Sequence, residues 1–421
     1  MNIIKSKRNT CRLCENKKLE LVVPLIPTPV AEKYLNKNQL NQKEMICPLD
    51  LYMCKDCGHV QLLDIIDPKF LYSDYTYSSG NSSGLVKHFK EYAEKINNEY
   101  KPKKNSLVID VGSNDGTLLS FFKKYGLKVL GVDPAKEIAE KATSEGIKTL
   151  PEFMNMELSN KIKSEYGLAK IITANNAFAH MDDLIGMLKS IKNLMQDDGV
   201  FVFEVSYLLD VIQKILLGTI FHEHHSYHSL KPLIKFMKHN RMEIINVERV
   251  TIQGGSLIGA AQLAGGPHKI SSSVKNLIEV EEKHKLDSPE SLKDFAKKIG
   301  KLKSELGSLL NSYKKEGKTI AGFGAARSGT TLITQMGIGK MLDFIVDDSP
   351  EKQGKFTPGD HILVMPTDTI YKKKPDYLFI LAWIHAKKII RDNKKYVDDG
   401  GHFIICFPEV KIIGKKEIAA I

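Results

Sequence analysis

The chain has 421 residues, a formal net charge of +11 and 42% hydrophobic residues, too long for one ordinary core and expected to form two or three domains. No run of about 18 apolar residues occurs, and the opening MNIIKSKRNTC has no apolar stretch before a small-residue cleavage site, so neither a membrane span nor a signal peptide is expected and a cytoplasmic location is. The lysines are scattered among acids, as in KSIKNLMQDD, a pattern of solvated helix faces that argues against a nucleic-acid partner.

Six cysteines in a chain without a secretion signal point to metal or reactive thiols rather than a disulfide framework. Four fall in pairs, Cys11-Arg12-Leu13-Cys14 and Cys54-Lys55-Asp56-Cys57. Each pair makes a tight turn presenting two thiolates, and two turns close a four-sulfur shell for structural Zn²⁺, with no open position for catalysis. Gly58 supplies a positive-φ position after the second turn, and His59 is read as a neighbour rather than a ligand. Cys47 and Cys406 read as buried thiols. A redox pair and a nucleic-acid zinc ribbon are the competing readings of the motif.

From residue 106 the sequence SLVIDVGSNDGTLLSFFKKYGLKVLGVDPAKEIAEKA predicts strand, glycine loop, helix, strand and an acid-bearing loop, a βαβ unit. The loop Asp110, Gly112, Ser113, Asn114, Gly116 lets the backbone approach a bound adenosyl group, and Asp133 is placed to accept from ribose hydroxyls. The pattern is D-x-G-x-x-x-G rather than G-x-G-x-x-G, which favours S-adenosylmethionine over a nicotinamide cofactor. The next strand ends at Asn175 and Asn176, followed by His180. The one after it carries Glu204 and Tyr207. Both ends are expected on the ligand side, where open α/β sheets bind.

Residues 219–230, TIFHEHHSYHSL, hold four of the chain's 13 histidines. A zincin needs H-E-x-x-H, and Ser226 stands where the second histidine would be. His224 and His228 could chelate a metal only on a helix, whereas the stretch reads as a loop, with His225 and His228 structural or merely exposed. Residues 271–317 are helical in pattern, with Ser288-Pro289-Glu290 opening one helix. KTIAGFGAARSGTTLI then predicts a second strand–loop–helix unit, in which Gly324, Arg327 and Ser328 would bind a phosphate at the helix N-terminus and Asp347, after the following strand, a ribose or base. Trp383 ends a further strand and either stacks on a ring or caps the core. A degenerate nucleotide fold and an NAD-dependent oxidoreductase remain alternatives for this region.

Taken in order, the cysteine pairs, VIDVGSNDG, ANNAFAHMDD, FEVSYLLDVI, FHEHHSYHSL, IQGGSL, FGAARSGTT and VDDSPEKQGKFTPGDHI resemble, along nearly the whole chain, the S-adenosylmethionine-dependent sugar C-methyltransferases. The resemblance implies an α/β protein with a zinc-binding domain (1–75), a class I (Rossmann-like) methyltransferase domain (76–250), and a helical connector with a second Rossmann-like domain (251–421). Its implied substrate is a nucleotide-linked keto-deoxysugar. His222, Glu223, His224 and His180 match residues lining that family's sugar pocket, and Tyr75 or Tyr77 matches its Y-x-Y-S-S tyrosine. The family's usual tyrosine before H-E-H is Phe221 here. Methylation at carbon requires an enolate, hence a base and an oxyanion donor. His224 is the expected base, with Glu223 orienting or replacing it, and His180 or a tyrosine the donor. Methylation at oxygen or nitrogen needs the same folds without the acidic carbon.

Overall fold

The computed structural model describes residues 4–72 and 78–418. They form two compact units, each assembled from three stretches of chain: Met1–Glu20, Met53–Leu209 and His225–Ser288 make the first, and Leu21–Tyr52, Asp210–His224 and Pro289–Ile421 the second.

The first unit is built on a seven-stranded sheet of β1 (Leu107–Val111), β2 (Lys128–Val132), β3 (Thr149–Leu150), β4 (Ala169–Asn175), β5 (Met195–Ser206), β6 (Met242–Val250) and β7 (Ser256–Leu263), in the order β3-β2-β1-β4-β5-β7-β6. β3 to β5 are parallel, and β7 runs antiparallel to both β5 and β6. Every residue of β1 and β4 is buried, as expected of central strands covered on both faces. Helix α1 (Ser83–Tyr100) begins where the Ser82 side chain accepts from Leu85 N. It buries Leu85, Phe89, Tyr92, Ala93, Ile96 and Tyr100, a stripe at helical spacing, against Val108, Val202 and the face of α2 (Thr117–Lys124). Strand order reverses between β1 and β4, which opens a cleft at their carboxyl ends.

The second unit has a six-stranded sheet of β8 (Ile320–Phe323), β9 (Phe344–Asp347), β10 (Val364–Pro366), β11 (Tyr377–Ile380), β12 (His402–Ile405) and β13 (Lys411–Ile413), ordered β10-β9-β8-β11-β12-β13 and parallel except for the last pair. The long helix α3 (Pro289–Lys315) opens at the expected proline. After β8, α4 (Arg327–Met336) follows. This is the two-sheet α/β class expected from the sequence.

The two compact units divide the chain differently from the expected domains. Ser256–Leu263 pairs with Met195–Ser206 and Met242–Val250, so the sheet needs it and the first unit extends to Ser288, taking helix Ser272–Lys283 of the expected connector with it. In turn, 21–52 and 210–224 fold with the C-terminal region: Gln335 on α4 hydrogen-bonds both main-chain groups of Ile26, and Thr331 Oγ1 donates to Ile220 O at 2.8 Å.

Candidate functional site

The cleft of the first unit has a volume of about 440 Å³, within the range of small-molecule sites. Its floor is the turn after β1. Gly112 has φ +79° and a Cβ there would lie 2.5 Å from that of Ala177; at Gly116, φ +74°, it would lie 2.7 Å from Ile147. Only glycine fits either position. Asp133 Oδ2 accepts from Asn114 N (2.8 Å) and Oδ1 from Ala135 N (2.9 Å), so this acid shapes the loop as well as facing the cleft. Asp110 is buried beside it. Burial pushes its carboxyl up to about 7, partly opposed by the Thr173 hydroxyl donating at 2.7 Å.

Ser113, Asn175, Asn176 and His180 also line the cleft. The Ser113 hydroxyl and both polar atoms of the Asn175 amide are buried without a hydrogen-bond partner of ordinary geometry among the described residues, although the Tyr92 hydroxyl lies near enough to that amide to feel it. Such groups call for a ligand. Phe153 and Met154, just beyond β3, add an apolar edge that suits a flat heteroaromatic base. Sequence reading missed them because no motif marks them; their position after a strand's carboxyl end was the available signal. An acid poised to meet an ammonium, unpaired amides and hydroxyls, and an apolar edge together fit an amino-acid-bearing adenosine such as S-adenosylmethionine.

The four paired cysteines converge. Their sulfurs lie within 4.8 Å of one another, with Cys11–Cys57 at 3.6 Å and Cys14–Cys54 at 3.5 Å. Sulfurs around a tetrahedral zinc with bonds of about 2.3 Å stand roughly 3.8 Å apart, so the shell fits the ion. Gly58 has φ +82° and its N–H closes the second turn on Cys54 O at 2.9 Å. His59 is turned away, 3.1 Å from Ser226 Oγ. Among the described residues no other histidine, cysteine or carboxylate group has metal-binding geometry.

Within the second unit the His222–His224 segment is pinned residue by residue. His222 Nε2 donates to Cys47 O at 3.2 Å and the ring is buried. Glu223 is bonded to the Arg327 guanidinium. His224 Nδ1 lies 2.7 Å from Thr219 O. A carbonyl only accepts, so Nδ1 carries the proton and Nε2 the basic lone pair. The group orienting His224 is therefore this carbonyl and not Glu223. Burial lowers the His224 pKa to about 4, the Thr219 contact opposing, so the ring is neutral at neutral pH. For Glu223, burial raises the pKa and Arg327 draws it back. Phe221, which stands where the resembled family usually has tyrosine, packs on His224 with ring centroids 3.9 Å apart.

The glycine loop of this unit differs from a free phosphate cradle. Asp347, expected to face a ribose or base, accepts from Ala325 N at 2.6 Å and from Ser349 N at 2.8 Å. Tyr34 and Lys352 donate to Ala325 O at 2.7 and 2.8 Å, so both main-chain groups of Ala325 are held. Gly324 is required because a Cβ would meet that of Ala382 at 2.4 Å. Arg327, expected on a phosphate, is engaged with Glu223. Gly218 fits under Ser328 and Trp383: a Cβ there would be 2.7 Å from Ser328 Cβ and 2.5 Å from the indole nitrogen.

Two further expectations are corrected by burial. Glu204 has no exposed surface and its Oε2 lies 2.6 Å from His88 Nε2, and Tyr207, equally buried, donates to Glu281 at 2.9 Å. Both are turned into the fold and neither lines the cleft. His228 stacks on Phe178 at 5.3 Å, and the stretch around it is strand and loop, not helix, as a structural role requires. Tyr75 and Tyr77 lie outside the described residues.

The buried neutral histidines carry a pH dependence. Burial lowers the His222 pKa from 6.5 to about 4, against the Cys47 carbonyl that raises it. The stability this provides is complete above pH 6.5 and drains as pH falls from there towards 4; at pH 5 the loss is ~2 kcal/mol. His222→Gln keeps a donor and cannot titrate. Urea unfolding at pH 7 and pH 5 is expected to show that the variant loses about that much less than the wild type on acidification.

No helix among the described residues is long and apolar enough to cross a membrane. Compared with known proteins, residues 251–408 match the family described as the C-methyltransferase C-terminal domain, 11–72 a zinc binding domain and 86–246 a methyltransferase domain. The C-methyltransferase NovU of Streptomyces niveus is 30% identical over 407 residues, covering 96% of this chain and 97% of that protein. Solved structures with similarity include an S-adenosylmethionine-dependent methyltransferase of Clostridium acetobutylicum (15% identity, 47% of this chain and 96% of that one, TM-score 0.34). Another is the magnesium protoporphyrin IX methyltransferase of Synechocystis with bound SAM (12% identity, 47% and 89%, TM-score 0.33). With a cleft at the strand carboxyl ends, a four-cysteine shell and full-length kinship in place, the chain belongs to the S-adenosylmethionine-dependent C-methyltransferases that carry a zinc-binding N-terminal domain.

Proposed function

We propose that the protein methylates a carbon alpha to the ketone of a nucleotide-linked keto-deoxysugar through an enolate, with His224 as the base. The observation that carries this reading is the 2.7 Å contact from His224 Nδ1 to Thr219 O, which leaves Nε2 as a neutral, directed base. S-adenosylmethionine supplies an electrophilic methyl group. The chain's own task is to make a carbon nucleophile by removing one proton and holding the oxyanion left behind. Glu223, charge-balanced by Arg327, is the proposed alternative base, acting in place of His224. His180, in the donor cleft, remains the proposed donor to the enolate oxygen, and Tyr75 or Tyr77 the alternative. The second sheet, with Ser328 and Trp383 beside its glycine loop, is the proposed seat of the nucleotide.

The test is mass spectrometry of a panel of nucleotide-linked 4-keto-deoxysugars incubated with the protein in heavy water. One deuterium gained without S-adenosylmethionine, and one methyl gained with it and located on carbon by NMR, is the expected result. Neither signal, from protein that binds S-adenosylhomocysteine, would show that the acceptor is of another class.

A further inference from the structure

Two groups without a part in the chemistry lie beneath α1, the helix whose Leu85 and Phe89 wall the donor cleft. His88 stands between those two residues on the helix, and its Nε2 meets Glu204 Oε2 at 2.6 Å. Glu204 is 0% exposed, and its Oε1 reaches no hydrogen-bond partner among the described residues. A carboxylate so far from water is held only by its partner, and loss of that partner leaves an uncompensated buried charge. On β5 Glu204 is also in register with Asn175, and its carbonyl accepts from Asn176 N at 2.8 Å. The pair thus joins the helical wall of the cleft to the strand ends that form its floor.

We propose that His88 and Glu204 form a clasp that sets the first turns of α1 against β5, and that affinity for S-adenosylmethionine depends on it. Both are positioning residues, since neither lines the cleft. The apolar stripe of α1 keeps the helix folded; the clasp fixes where Leu85 and Phe89 stand.

The charged groups around His88 are Glu204 on β5, Glu91 and Lys95 on its own helix, and Glu248 on β6, which Lys95 engages. The rings of Phe89 and Tyr92 lie 6.0 Å away. Burial pulls the His88 pKa down, but contact with Glu204 and the nearby carboxylates outweigh it and the net shift is upward from 6.5. A group raised in this way holds the clasp below pH 6.5 and releases it as pH climbs through the raised value.

The experiment is calorimetry with S-adenosylhomocysteine on the full chain between pH 6 and 9. Wild-type protein is expected to bind about tenfold more weakly at the alkaline end. His88→Gln and Glu204→Gln should each bind about tenfold more weakly at pH 6.5 and lose that alkaline step. The double variant, whose two amides can hydrogen-bond, should recover part of the loss. If Glu204→Gln does not fold, His88→Gln and the double variant decide the matter. Wild-type affinity with the alkaline step intact in His88→Gln, or a double variant no better than the product of the single losses, would overturn the clasp.

Discussion

Replacing His224 by alanine is expected to lower alpha-proton exchange of the proposed keto-sugar acceptor by about 10²- to 10⁴-fold, the usual worth of a positioned general base. The contact between Nδ1 and Thr219 O fixes both the tautomer and the ring plane. Deuterium incorporation without donor isolates this step from methyl transfer. Glu223→Gln should cost less than tenfold in the same assay, because Arg327, and not His224, is the group that carboxylate touches. Should Glu223→Gln abolish exchange while His224→Ala leaves it intact, the roles are reversed. An exchange rate untouched by either change would remove the segment from catalysis altogether.

Converting Cys54 to serine is expected to drop zinc content from one ion per chain to none, read by atomic absorption. Cys406→Ser, a buried thiol remote from the shell in sequence, should leave it unchanged. Structural zinc contributes on the order of 10 kcal/mol to small domains of this kind, so the turns at 11–14 and 54–57 should become protease-sensitive. A second effect should follow. Arg12 sits inside the first turn, its side chain fully buried; its guanidinium bonds Leu62 O and meets Asp182 Oδ1 at 3.1 Å. Burial lowers even this pKa to about 10, with Asp182 opposing. Asp182 borders the donor cleft. Affinity for S-adenosylhomocysteine should therefore fall with zinc loss. Normal affinity in zinc-free protein would confine the metal's role to its own turns.

Chemistry that is local in sequence could be read from it. The D-x-G-x-x-x-G turn and the two C-x-x-C turns each complete their backbone turn within a few residues, with positive φ at Gly112, Gly116 and Gly58. Partnerships across long separations could not. Arg327 sits where a phosphate ligand belongs, yet its carboxylate partner comes 104 residues earlier. Asp347 ends its strand where a ribose ligand belongs and, like Asp133, also accepts from an amide N–H group of its own glycine loop, a bond the sequence pattern does not announce. Glu204 and Tyr207 lie near a strand's carboxyl end, and alternation along a strand buried on both faces cannot say which side chains reach the cleft. The hairpin of β6 and β7 was hidden because IQGGSL marks a turn without saying which sheet its strands join.

The interleaving of the two units reaches beyond the folded state. At translation rates of about 5–20 residues per second, roughly 5 to 20 seconds separate the emergence of Glu223 from that of Arg327, 104 residues on. During that interval the nascent chain carries an acid destined for burial with no counter-ion made. The second unit is also drawn from three separate stretches, so no single crossover between two genes can transplant it whole. Lineages of this protein are expected to diversify by point substitution more readily than by exchanging cassettes.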